Sequence, residues 1–282
     1  MKFAYYPGCS LHATGLEFDQ STRAVFHALG VQLDELDDWN CCGASSGHSL
    51  DALAAVALPA RNIALAQEMN LDVLAPCAAC FNRLKVAEHA IKTDPAQRNK
   101  IEDAVGFAYA GTTQIRNPID VIVNEIGLPQ VRAMVKRPLD DLRAVSYYGC
   151  LLVRPPEIVQ FDDPEHPRLM DQLLAALGAT PVDWAYATVC CGGSLSLTRA
   201  KIVNKLVDDI AAHAREVGAQ TIVTACPLCQ INLEMRQTSA AKMPIVYFTE
   251  LMGLAFGLQA SARWWSKHLV DPRAVVSKYA TA

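Results

Sequence analysis

Residues 221–229, Thr221-Ile222-Val223-Thr224-Ala225-Cys226-Pro227-Leu228-Cys229, run a short apolar segment of strand character straight into a CxxC pair. Residues 74–80, Leu74-Ala75-Pro76-Cys77-Ala78-Ala79-Cys80, do the same earlier in the chain. A brief apolar, β-branched run reads as a buried strand, and the leading cysteine of each pair is expected where that strand stops and a helix opens. A thiolate at that point meets free backbone N–H groups and the positive end of the helix macrodipole, both of which favour negative charge.

Working outward, the ten cysteines of this 282-residue chain fall at 9, 41, 42, 77 and 80, and again at 150, 190, 191, 226 and 229. Each half holds one single cysteine, one adjacent pair and one CxxC, spaced C-x31-CC-x34-C-x2-C and then C-x39-CC-x34-C-x2-C. The last four cysteines of the two halves differ by 149 positions (190−41, 191−42, 226−77, 229−80) and the first by 141 (150−9), so one insertion of 8 residues in the second half accounts for the difference. The flanks repeat as well. Tyr5-Tyr6-Pro7-Gly8-Cys9 matches Tyr147-Tyr148-Gly149-Cys150, and Cys41-Cys42-Gly43 matches Cys190-Cys191-Gly192. Such self-similarity marks a duplicated module.

In the second half, segments of strand character precede the cysteines at Ala144 to Tyr148, more weakly near Pro181 to Trp184, and at Thr221 to Ala225. Helical patterns lie between: Phe18, Val25 and Leu29 share a face in the first half, as do Ile202, Leu206 and Ile210 in the second. Alternating strand and helix predicts an α/β fold of two duplicated Rossmann-like modules, each with a mainly parallel sheet. In such sheets ligands gather beyond the carboxyl ends of the strands, where Cys9, Cys77, Cys150 and Cys226 would emerge. Residues 95–141, punctuated by Pro118, Pro129 and Pro138, read as a helical connector. The expected division is residues 1–141, first module plus connector, and residues 142–282, second module.

Composition narrows the function. Net charge is −4 with no clustered basic stripe, which argues against nucleic-acid binding. The most apolar stretches are interrupted by Pro59 and Arg61, and by Glu250, short of the roughly 18 residues a spanning helix needs. The first residues do not resemble a secretory signal, so the expectation is a cytoplasmic protein whose cysteines bind metal or do redox chemistry. Buried inert cysteines would give no reason for two copies of one pattern. Zinc suits a CxxC half-site but leaves one thiolate per module over, and successive side chains on an extended backbone diverge. A polynuclear iron–sulfur cluster accommodates all five sulfurs of each set better, while the spacing differs from ferredoxin runs.

Through Pro7-Gly8-Cys9-Ser10-Leu11-His12, Gly149-Cys150-Leu151-Leu152-Val153-Arg154-Pro155 and Cys226-Pro227-Leu228-Cys229-Gln230, the chain resembles the CCG-domain (cysteine-rich) family over nearly its whole length. Within that family it resembles the B-type subunit of the heterodisulfide reductases and its heterodisulfide-reductase-like homologues. The resemblance implies one noncubane 4Fe-4S cluster per module, with Cys9, Cys41, Cys42, Cys77 and Cys80 holding one and Cys150, Cys190, Cys191, Cys226 and Cys229 the other. It further implies a catalytic subunit that reduces or forms a small disulfide between the clusters in two one-electron steps, partnered by a second iron–sulfur subunit and a flavin-bearing subunit. The same family supplies relay subunits of lactate, glycolate and succinate-type oxidoreductases, and that alternative stands, as does a zinc-binding structural subunit. No GxGxxG loop or additional cysteine set gives this chain a flavin or a further cluster of its own.

Smaller signals remain. His12 and Arg154, close after the first cysteine of each module, are candidates to bind substrate as proton source and anion anchor. Trp264, Trp265 and His268 are candidates for a docking patch if they are not simply packed. Asp162 and Asp163 fall in the insertion and are expected in a solvated loop.

Overall fold

The computed structural model describes residues 1–44, 47–259 and 261–280. Two four-stranded parallel sheets organise it. The first joins β1 (Lys2–Tyr5), β2 (Gln32–Glu35), β3 (Val73–Leu74) and β4 (Ile115–Arg116) in the order β2-β1-β3-β4. The second joins β5 (Arg143–Tyr147), β6 (Thr180–Pro181), β7 (Thr221–Thr224) and β8 (Ile245–Tyr247) in the order β6-β5-β7-β8. The two orders are the same permutation. The strands at the centre of each sheet, such as β1 and β7, are buried along nearly their whole length, as expected where helices cover both faces of a parallel sheet.

Crossover helices carry the apolar stripes. Leu16–Ala28 buries Phe18, Val25 and Phe26, the face expected from spacing. Ala200–Glu216 buries Val203, Val207, Ile210, Ala211 and Ala214, whereas Ile202 is 52% exposed. The buried stripe, Val203–Val207–Ile210, is therefore turned about one residue from the Ile202–Leu206–Ile210 line. The 95–141 connector is mostly helical, with Pro95–Val105 and Leu128–Met134 among its elements, but it also supplies the edge strand β4. Two paired residues are too short to show a period-two pattern, so that strand left no mark in the sequence.

The halves interlock. The second half's Phe248–Ala255 helix is buried throughout and lies on the first half's Leu16–Ala28 helix. Phe18 stacks on Tyr247 at 4.3 Å between centroids, and the Ser21 and Thr249 hydroxyls lie 2.7 Å apart. A stacked aromatic pair adds about 0.5–1.5 kcal/mol beyond burial.

The C-terminal aromatics are part of this packing. Trp264 and Trp265 are 1% and 3% exposed, and the His268 side chain is fully buried between Glu234 and Glu250. They form no docking patch. Their large apolar area fills the gap between the two helices, the usual fate of tryptophan. The insertion is a largely exposed loop, as expected, and its two aspartates organise its backbone. Asp162 accepts hydrogen bonds from the Arg168 and Leu169 amides at 2.8 and 2.9 Å, fixing the entry to the Leu169–Ala176 helix, and Asp163 accepts from the Glu165 and His166 amides.

Candidate metal centre

Each first cysteine follows the carboxyl end of a central strand. After β1 the chain turns through Pro7 and Gly8 into the short helix Gly8–Leu11, which carries Cys9; after β5 it turns through Gly149 to Cys150. Gly8 and Gly149 have φ of +67° and +64°, and a Cβ built on them would lie 2.7 Å from Cys80 Sγ and 3.2 Å from Cys229 Sγ. Any side chain there would occupy the space that the CxxC sulfur needs, so glycine is required on both conformational and steric grounds.

The adjacent pairs sit on loops after β2 and β6. Tyr6 donates its hydroxyl to the Asn40 carbonyl at 2.8 Å, and Tyr147 to the Val189 carbonyl at 2.6 Å. Each tyrosine thus grips the peptide just before its Cys-Cys pair. The Gly43 and Gly192 amides donate to Cys41 Sγ at 3.5 Å and Cys190 Sγ at 3.3 Å. Cys77 and Cys226 cap the helices Ala78–Thr93 and Pro227–Arg236, as the spacing predicted.

The sulfurs of each set converge. Cys42 and Cys80 are 3.4 Å apart, Cys9 and Cys41 3.8 Å, and Cys191 and Cys229 3.8 Å. All ten cysteines are free of disulfides. Contacts between sulfurs spread the acidities within each set. Its neighbours Cys41 and then Cys80 push Cys42 down to about 3 despite its burial. Its neighbour Cys150 brings Cys190 down to about 6, and Cys229 lowers Cys191. Cys41 and Cys80, beside Cys42, and Cys150 and Cys229, beside Cys190 and Cys191, are raised by those same neighbours, with burial adding to it.

The two sets also meet each other. Cys226 is held well below the usual thiol range by its neighbours Cys229 and Cys77, and Cys77 is raised chiefly by Cys226. Cys77 of the first half and Cys226 of the second thus lie close enough for each to shift the other. Asn82 closes the same seam, giving its amide to the Leu151 and Arg154 carbonyls at 2.9 and 2.7 Å.

This donor set suits iron–sulfur chemistry. Low-lying thiolates are metal ligands in waiting, and the glycine cradles leave the sulfurs room that any side chain would fill. Among the described residues no three His, Cys, Asp or Glu side chains close around a single ion position. Separate loops bring two sulfur pairs into contact in the first set and one in the second, and five thiolates per set suit a polynuclear centre.

His12 and Arg154 lie beside the sets but face acidic partners. His12 Nε2 is 3.1 Å from Glu35 Oε1 with its ring edge-on to Trp39, and Arg154 Nη2 is 2.7 Å from Glu165 Oε1. The cysteine pattern does not single out Tyr6, Tyr147, Asn82, Arg83 or Asn232. A tyrosine three residues before the first cysteine in both halves is a readable signal for the first two; the rest act through tertiary contacts.

A family model described as "Cysteine-rich domain" matches residues 3–85 and 144–234. The chain is 31% identical to the 8-methylmenaquinol:fumarate reductase membrane anchor subunit of Wolinella succinogenes, over 96% of this chain and 97% of that protein. It is 28% identical to the B-type subunit of a CoB-CoM heterodisulfide reductase of Methanosarcina acetivorans, over 91% and 89%. A Bacillus subtilis protein named "Probable glycolate oxidase iron-sulfur subunit" is 24% identical over 92% of this chain and 56% of its own length. A crystal structure of a hypothetical protein from Helicobacter pylori shares the fold with a TM-score of 0.67 at 11% identity; 93% of this chain aligns with 50% of that one.

Proposed function

The chain belongs to the cysteine-rich domain family through both of its halves, and from that premise we propose that it is the iron–sulfur subunit of a multisubunit oxidoreductase in which the paired cysteine sets act together on a disulfide or thiol. The observation that carries this reading is that two five-cysteine sets on equivalent sheets meet along one seam, which Asn82 of the first half closes by donating to the Leu151 and Arg154 carbonyls of the second. When bound, a noncubane 4Fe-4S cluster in each set would supply single electrons, two of which convert one disulfide and two protons into two thiols.

The protein's own groups then have distinct tasks. Ten thiolates, Cys9 to Cys80 in the first set and Cys150 to Cys229 in the second, hold the metal. The Gly43 and Gly192 amides offset their negative charge, and Tyr6 and Tyr147 fix the loops that carry the adjacent pairs. His12 and Arg154 stand close after the first cysteine of each set as substrate contacts. Electrons would arrive from a second iron–sulfur subunit served by a flavin-bearing one, in a cytoplasmic setting. No helix among the described residues is long and apolar enough to cross a membrane.

A second reading, a relay subunit of a quinol–fumarate type enzyme, is favoured by the Wolinella succinogenes relative, which matches end to end. The exposed Cys9 and Cys190 offer such a relay a contact with its partners. One experiment separates the readings: anaerobic preparation, iron and sulfide analysis, and electron paramagnetic resonance with and without added thiol. A thiol-dependent signal supports substrate chemistry, an unchanged one the relay. Zinc alone, or no metal, overturns both.

A further inference from the structure

The halves are copies, so a position where they differ next to the sulfurs is informative. Offset by the same 149 residues as the CxxC cysteines, Arg83 in the first half corresponds to Asn232 in the second (232−83). Both stand one helical turn beyond the second CxxC cysteine, on the face that carries its sulfur. Cys80 Sγ contacts Cys42 Sγ at 3.4 Å, and Cys229 Sγ contacts Cys191 Sγ at 3.8 Å. The same contact between the second CxxC sulfur and the adjacent-pair sulfur is thus made beside this side chain in both halves.

The two side chains themselves are not equivalent. Arg83 is half-buried and donates from Nη2 to Asn82 Oδ1 at 2.7 Å, and the charge acting on its guanidinium is that of Cys42. It has no carboxylate partner among the described residues. Asn232 is 4% exposed, carries no charge, and donates from Nδ2 to the Cys191 carbonyl at 2.8 Å. No lysine or arginine is among the groups acting most strongly on Cys190, Cys191, Cys226 or Cys229. Reduction adds negative charge to a thiolate-bound centre, and a nearby cation in a partly desolvated site stabilises that state.

We propose that Arg83 makes the centre held by Cys9, Cys41, Cys42, Cys77 and Cys80 the more readily reduced of the two, so that an electron shared across the Cys77–Cys226 seam rests on the first half. This rests on the reading of two iron–sulfur centres. It adds a direction to them: the second half receives, the first half stores.

The test is a dithionite titration of the holoprotein followed by electron paramagnetic resonance, with signals assigned to each set by Cys42→Ser and Cys191→Ser. The wild-type midpoint of the first centre is expected above that of the second. Arg83→Gln keeps an amide beside Asn82 but removes the charge, and should lower the first midpoint by about a tenfold change in reduced-to-oxidised ratio, ~59 mV for one electron, leaving the second in place. Arg83→Lys should restore most of the difference, and Asn232→Arg should raise the second centre. If both centres are present and Arg83→Gln moves neither, or moves both alike, the proposal fails while the two-centre reading stands. If iron and sulfide are absent, the reading itself fails and the proposal with it.

Discussion

Replacing His268 with glutamine should cost the fold about 3–5 kcal/mol at neutral pH. The imidazole is fully buried, with Nδ1 3.0 Å from Glu234 Oε1 and Nε2 3.0 Å from Glu250 Oε1. Both carboxylates spend their other oxygen on backbone, Glu234 on the Leu269 amide and Glu250 on the Tyr247 amide. Two acceptors require a proton on both ring nitrogens. Burial disfavours that charge, but the charge of Glu250 and the bonds to Glu234 and Glu250 outweigh it, holding His268 up at about 10. Removing one member of a buried ion pair strands the others, which gives the quoted ~3–5 kcal/mol. At about 2 °C per kcal/mol for a chain of this size, the melting temperature should fall by roughly 6–10 °C.

The pH dependence has a definite sign. Because the folded pKa lies above the unfolded value of about 6.5, the proton's contribution is complete below about pH 6.5 and is lost as pH rises towards 10. Wild-type protein and His268→Gln, unfolded in urea at pH 6, 8 and 10, should therefore converge as pH rises. A deficit under about 1 kcal/mol at pH 6, or one that stays constant to pH 10, would refute the assignment of His268 as a buried cation.

Glu17 also weakens the fold as pH rises, over a lower window. Burial pushes its carboxyl up to about 7, so the folded state holds a proton that the unfolded chain has released, and stability drains as pH rises from about 4.5 to 7. Glu17→Gln should leave stability at pH 4 unchanged and add about 1–3 kcal/mol at pH 8; a weaker variant at pH 8 in urea melts would contradict this. Gly8→Ala, forced into φ of +67° with its Cβ 2.7 Å from Cys80 Sγ, should lose about 1–3 kcal/mol and much of the first set's iron, with Gly149→Ala milder at 3.2 Å. Iron analysis and thermal melts check the pair, and equal iron in both variants counts against the cradle. Asn82→Ala leaves the Leu151 and Arg154 carbonyls without their donor and should cost about 2–3 kcal/mol; a change below about 0.5 kcal/mol in urea unfolding would show the seam does not depend on it.

The cysteine spacing made the duplication, the parallel sheets and the helix-capping Cys77 and Cys226 readable, because a repeated motif and a strand-to-helix switch are local features. The edge strand β4 was not readable, since two paired residues carry no periodicity. Trp264, Trp265 and His268 left their role open because burial is decided by partners far along the chain: Glu234, Glu250 and the Leu16–Ala28 helix. Arg83 is illegible in the sequence for a related reason. Its meaning lies in being compared with Asn232, and that comparison matters only once both are seen to flank equivalent sulfurs.

The seam between Cys77 and Cys226 also has a consequence in time. These residues are separated by 149 positions (226−77), so at ribosomal speeds of about 5–20 residues per second the earlier thiol waits roughly 7–30 seconds for the later one to be made. The Leu16–Ala28 helix waits longer still for the Phe248–Ala255 helix that covers it. During that interval an incomplete chain offers reactive sulfur and bare apolar surface to the cell, so loading of iron has every reason to follow release of the finished polypeptide.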